Sequence, residues 1–187
     1  MVLQAAELLF RELNRSEARA IAAALLGVSL ALSPKFGTYG IASVLVGFIV
    51  HEMAHRQTAR SLGCSSRFIL DPMGYGLTLV STLFPIAFLA PGYVGVSCWG
   101  VMIGPRESLK ISASGPATNI VMALAAVTAL KLGLVHPFLY VFAVINSWLA
   151  LFNLIPLGPL DGAKILRASP PTWIFMAIVS AGLFFAL

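Results

Sequence analysis

FGTYGIASVLVGFIVHEMAHRQTAR, residues 36–60, reads as one helix whose first fifteen positions carry no charge and whose next turns carry His51, Glu52 and His55. An apolar run with its ionisable groups gathered at one end is the pattern of a membrane span reaching an interface. His51 and His55 stand at i and i+4 on one helix face. Two imidazoles there can converge on one tetrahedral metal, with Glu52 near the water it binds. With three His and five Glu in the chain, chance placement would give HExxH in roughly one such chain in a thousand. The plainer alternative is a polar cap on the cytoplasmic end of the span.

Composition agrees with a membrane setting. Of 187 residues, 59% are hydrophobic and 10% charged, against about 45–50% and about 25% in soluble domains. Twelve Lys+Arg and seven Asp+Glu are too few to clothe a soluble fold of this size, and the mean hydropathy is +0.93. These figures exclude a soluble monomer, a disordered chain and a disulfide-stapled secreted module, and leave an integral membrane protein. The net charge of +5 is spread singly between apolar runs, so no nucleic acid is expected as partner. Cys64 and Cys98 match no zinc spacing and read as reduced, structural thiols. Residues 1–19 lack a short basic n-region and form a polar, partly helical prelude rather than a cleavable signal.

Outward from the quoted stretch, further apolar runs cover residues 20–32, about 114–133, about 137–155 and 173–187. Residues 77–103 are also free of charge, but Pro85, Pro91, Gly92, Gly95 and Gly100 interrupt them. Breakers at this density favour extended or re-entrant backbone over a helix. Charge parity supports that choice. If residues 77–103 do not cross, ten of the twelve basic residues share one side, and only Lys35 and Lys131 fall opposite. The positive-inside rule makes the rich side cytoplasmic. The fold expected is therefore mainly α and polytopic, a single embedded domain over 1–187. About five transmembrane helices accompany a re-entrant or membrane-associated β-rich segment around 68–103.

A metal held by His51 and His55 needs a third protein ligand. His136 falls on the opposite side of the membrane and reads as a loop residue. Asp71, in Asp71-Pro72-Met73-Gly74, reads as a turn residue. Asp161 lies in NLIPLGPLDG, residues 153–162, at the cytoplasmic end of the fourth span and on the side of the histidines. Pro and Gly there would break the helix and free the backbone to turn a carboxylate inward. A helix N-cap is the other role open to Asp161.

HExxH in one span and N-x-x-P-x-x-x-L-D-G in another, about a hundred residues later, resemble the site-2 protease family of intramembrane zinc metalloproteases. Gly115-Pro116-Ala117-Thr118-Asn119 is similar to that family's G-P-x-x-N, and residues 77–103 to its membrane-associated β-rich segment. The resemblance covers about 36–167 and is to a minimal form without PDZ-like or C-terminal regulatory domains. It implies one Zn2+ per chain on His51, His55 and Asp161, with Glu52 as general base. It implies that Asn153 binds the substrate strand or the developing oxyanion. Asn119 is a substrate-binding candidate for which helix–helix hydrogen bonding is an equal reading. The implied activity is hydrolysis of peptide bonds in transmembrane segments of membrane-protein substrates, in the cell membrane, with the active site and N-terminus toward the cytoplasm. A proteolytically inactive metal-binding membrane protein and a metal transporter are the rival classes. Substrate identity and oligomeric state are not legible.

Overall fold

The computed structural model describes residues 2–84, 88–99 and 103–187, and Pro85 and Gly100, two of the breakers named above, fall outside them. The fold is mainly helical. α1 spans Val2–Asn14 and α2 spans Glu17–Ser61, a run of helix broken at Gly37, whose φ of 58° and ψ of −151° are open to glycine and costly for other residues. The two limbs of α2 fold back on each other. Ala20 and Ala24 share a core with Phe48, whereas Val28, Ala31 and Leu32, further along the first limb, share one with Val44. That reversed order is an antiparallel helical hairpin. Alanines on the inner face let the limbs approach closely.

After α2 come β1 (Ser65–Leu70), α3 (Pro72–Val80), a 3-10 turn (Ser81–Leu83) and β2 (Gly92–Ser97). α4 (Pro105–Lys131), α5 (Pro137–Asn153), α6 (Asp161–Ala168) and α7 (Pro170–Phe185) complete the chain. Gly37–Ser61 and Pro105–Lys131 are long and apolar enough to cross a membrane; α5 and α7 are shorter apolar helices. α4 begins nine residues before the apolar run read from the sequence, with Pro105 in its first turn, where proline's missing N–H costs nothing. The segment expected to be β-rich also contains α3, which Asp71 caps by accepting from Gly74 N at 2.6 Å; Asp71 is thus a helix cap rather than only a turn residue.

β1 and β2 pair antiparallel, with Arg67 opposite Gly95 and Ile69 opposite Tyr93. The outer edge of β1 is closed by side chains. Glu17 Oε1 accepts from Phe68 N at 2.9 Å, Asn14 Oδ1 accepts from Leu70 N at 2.8 Å, and Asn14 Nδ2 donates to Leu70 O at 2.9 Å. Since N–H and C=O alternate sides along a strand, Ser65, Arg67 and Ile69 are the residues bonded to β2. By the same alternation Gly92, Val94 and Val96 turn their backbone groups to the far edge of β2, which no strand among the described residues covers.

The cysteines correct the sequence reading. Cys64 and Cys98 form a disulfide, with Cα atoms 4.4 Å apart. Register explains it: Ser65 faces Ser97, so the next residue on each side falls side by side, although 34 positions separate them in the chain. Spacing alone cannot reveal a pair joined through a sheet. Peptide mapping without reductant should recover the peptides containing Cys64 and Cys98 as one linked species that separates on reduction. Two freely alkylated thiols in the untreated protein would contradict the bond.

Candidate metal centre

Three elements deliver the site. The second limb of α2 presents His51, Glu52 and His55, all buried, on the face turned to α4. α5 ends at Asn153, the chain turns through residues 154–160, and α6 opens with Asp161. That turn is pinned: Trp173 Nε1 on α7 donates to Leu154 O at 2.7 Å, and Leu154, Ile165 and Met176 form a small core beside it. A Cβ on Gly162 would stand 2.1 Å from Leu154 O, so the residue after Asp161 has to be glycine for the turn to close. The Asp161 carboxylate then reaches back to α2 instead of capping its own helix.

Asp161 Oδ2 lies 2.9 Å from His55 Nε2 and 3.4 Å from His51 Nε2, and the two Nε2 atoms are 3.0 Å apart. One donor atom from each of the three residues falls within 4.8 Å of the others. The outer imidazole nitrogens are held from behind. His55 Nδ1 donates to Ile111 O at 2.7 Å, and His51 Nδ1 donates to Asn119 Oδ1 at 2.5 Å. With hydrogens committed at Nδ1, both rings turn Nε2 lone pairs toward the carboxylate. Three acceptors this close in a buried site are stable only around positive charge.

A divalent metal fits that requirement. Two neutral imidazoles and a carboxylate are a tetrahedral zinc donor set with one position left open, and each imidazole has the backing acceptor that metal-bound histidines need. Gly115 on α4 leaves the room: a Cβ there would stand 2.3 Å from His55 Nε2 and 2.6 Å from His51 Nε2. Glu52 Oε2 is also buried, with no hydrogen bond among the described residues. His51, Glu52, His55 and Asp161 all border a cavity of about 870 Å³, with residues 92–96 of β2 along another side.

The other predicted residues are placed differently. Asn153 borders the cavity and donates one amide hydrogen to Leu149 O at 2.9 Å, which leaves its second free. Asn119 is fully buried behind His51 and does not border the cavity, so its position is that of a buried bridge between helices. His136 is exposed and caps α5. Sequence reading missed Lys164, whose Nζ is 3.7 Å from Asp161 Oδ1, and Asn146, which bonds Asn119. A polar amide in the middle of an apolar helix was the available signal for Asn146.

Comparison with known proteins gives the same direction. The model of peptidase family M50 matches residues 128–174, which include Asp161. The chain is 33% identical over 141 residues to the protein named "Putative zinc metalloprotease MJ0611" of Methanocaldococcus jannaschii, covering 73% of each chain. It is 31% identical to Rip2 of Mycobacterium tuberculosis, of the same description, over 68% of this chain and 55% of that one. It is 24% identical to the zinc metalloprotease MJ0392 of M. jannaschii, over 77% of this chain and 38% of that one. No solved structure matches.

Gly115→Ala should therefore lower zinc affinity by tenfold or more while leaving helical circular dichroism unchanged. Chelator competition on the purified protein checks it, and wild-type affinity would show that the space at Gly115 does not matter to the metal.

Proposed function

The chain belongs to peptidase family M50, the site-2 proteases, and is a zinc-dependent metallopeptidase; we propose that it cuts peptide bonds within transmembrane segments of other membrane proteins. The observation that carries this reading is the meeting of His51, His55 and Asp161 on a cavity that the uncovered edge of β2 also borders.

In this reading the two limbs of α2 and helices α4, α5 and α7 lie in the cell membrane. At 1.5 Å per residue, Gly37–Ser61 and Pro105–Lys131 extend about 37 and about 40 Å, ample for a hydrocarbon core of about 30 Å. Apolar side chains turned outward support the embedding: Leu26 and Leu30 on the first limb, Val46 and Ile49 on the second, Val121 on α4, Phe175 and Ile178 on α7. The end of α2 that carries Arg56 and Arg60 faces the cytoplasm by the positive-inside rule.

Bound zinc supplies Lewis-acid polarisation of the scissile carbonyl and lowers the pKa of water to about 7. Glu52 takes the proton from the attacking water and returns it to the leaving amine; its unpartnered Oε2 is free for that exchange. Asn153 offers its remaining amide hydrogen to the carbonyl oxygen as negative charge develops there. A substrate helix hides its carbonyls in i to i−4 bonds, so the segment to be cut has to be extended first. Gly92, Val94 and Val96 present backbone groups that an extended substrate can pair with as an added strand beside the site. Substrates with glycine, proline or asparagine near the cut extend at least cost.

Two variants test this in proteoliposomes with a transmembrane reporter. Glu52→Gln should keep one zinc per chain and lose cleavage by about 10²-fold or more. Asp161→Asn should lose both zinc and cleavage. Undiminished activity in Glu52→Gln would remove Glu52 as the base, and a zinc-loaded wild type that cuts no transmembrane reporter would overturn the proposed substrate class.

A further inference from the structure

We infer that Asn146 is a positioning residue of the metal centre, acting through Asn119 to keep the Nε2 lone pair of His51 aimed at the zinc. The inference rests on His51 being a zinc ligand, as read above.

A side-chain amide has an oxygen face and a nitrogen face, and only the oxygen face can accept from His51 Nδ1. If Asn119 presented its nitrogen, His51 Nδ1 would have to accept, its ring hydrogen would move to Nε2, and Nε2 could no longer bind a metal. Asn119 does not choose its face alone. Its Nδ2 donates to Gly47 O at 3.2 Å and to Asn146 Oδ1 at 2.9 Å, so both of its hydrogens are committed away from His51. Asn146 is oriented in turn, because its own Nδ2 donates to Phe142 O at 2.9 Å, one turn earlier on α5. A backbone carbonyl can only accept, so Phe142 O decides which way Asn146 points. Asn146 and Gly47 O together then decide Asn119, with Asn146 the closer acceptor, and Asn119 decides His51.

The chain of bonds is built in. Asn119 and Asn146 are both fully buried, and a Cβ on Gly47 would come within 2.9 Å of Asn146 Oδ1, so α2 leaves room for the amide. His55 does not depend on it, since Ile111 O on α4 holds its Nδ1. The two ligand histidines are therefore set by separate devices, one a backbone carbonyl and one a relay of two amides that ends on another helix.

Asn146→Leu keeps the shape and removes the acceptor. Asn146→Asp, protonated in its buried site, keeps an acceptor for Asn119 and an O–H for Phe142 O. In chelator competition on the full chain, Asn146→Leu should bind zinc about tenfold more weakly and Asn146→Asp within about twofold of wild type. Nitrogen-15 spectra of the histidine rings in the zinc-free protein should show His51 losing its single Nδ1–H form in Asn146→Leu while His55 keeps its own. Wild-type zinc affinity and an unchanged His51 spectrum in Asn146→Leu would overturn the relay. So would equal weakening in both variants, or a joint change of His51 and His55, since either would mean that Asn146 only packs. A wild type that binds no zinc would instead overturn the metal reading itself, and the ring spectra would still report on the relay.

Discussion

The centre of this fold is a crowding that only a cation relieves. Two imidazole nitrogens and a carboxylate oxygen stand about 3 Å apart in a buried site, and each ring is anchored from behind so that it cannot turn away. Nearly every other placement described serves that meeting. α4 gives up a side chain at Gly115 so that the rings fit, and the turn after α5 is tied to α7 so that Asp161 faces inward. The hairpin in α2 packs its first limb along the limb that carries the histidines.

Much of the centre was legible from residue types and spacing. HExxH needs only a helix to put both imidazoles on one face, and residues 36–60 could hardly be anything else. Asp161 is separable from the other carboxylates by the side that charge parity assigns it and by the Pro and Gly around it. Asn119 was harder. G-P-x-x-N marks a residue of interest, but whether an amide faces the substrate or another helix depends on packing that no local pattern encodes. Asn146 and the Cys64–Cys98 bond lay further out of reach, because each joins positions that are distant in the chain and close only once a helix pair or a strand register exists.

The segment between α2 and α4 shows how local rules and tertiary context share the outcome. Pro91, Gly92 and Gly95 do prevent a continuous helix, and residues 92–97 are extended. Residues 72–80 are helical all the same, because Asp71 and Pro72 supply a cap and a favourable first turn that outweigh two glycines over nine residues.

The two edges of the small sheet are unequal. Asn14 and Glu17 occupy the hydrogen-bonding positions that a further strand beside β1 would need, so a polar N-terminal stretch works as a stopper on that flank. Among the described residues the sheet is left open only at β2, which borders the cavity that His51, His55 and Asp161 also border. Without the stopper the flank beside β1 would also be open, to the strands of neighbouring copies among others. A polar N-terminal prelude thus decides which edge of the sheet stays open.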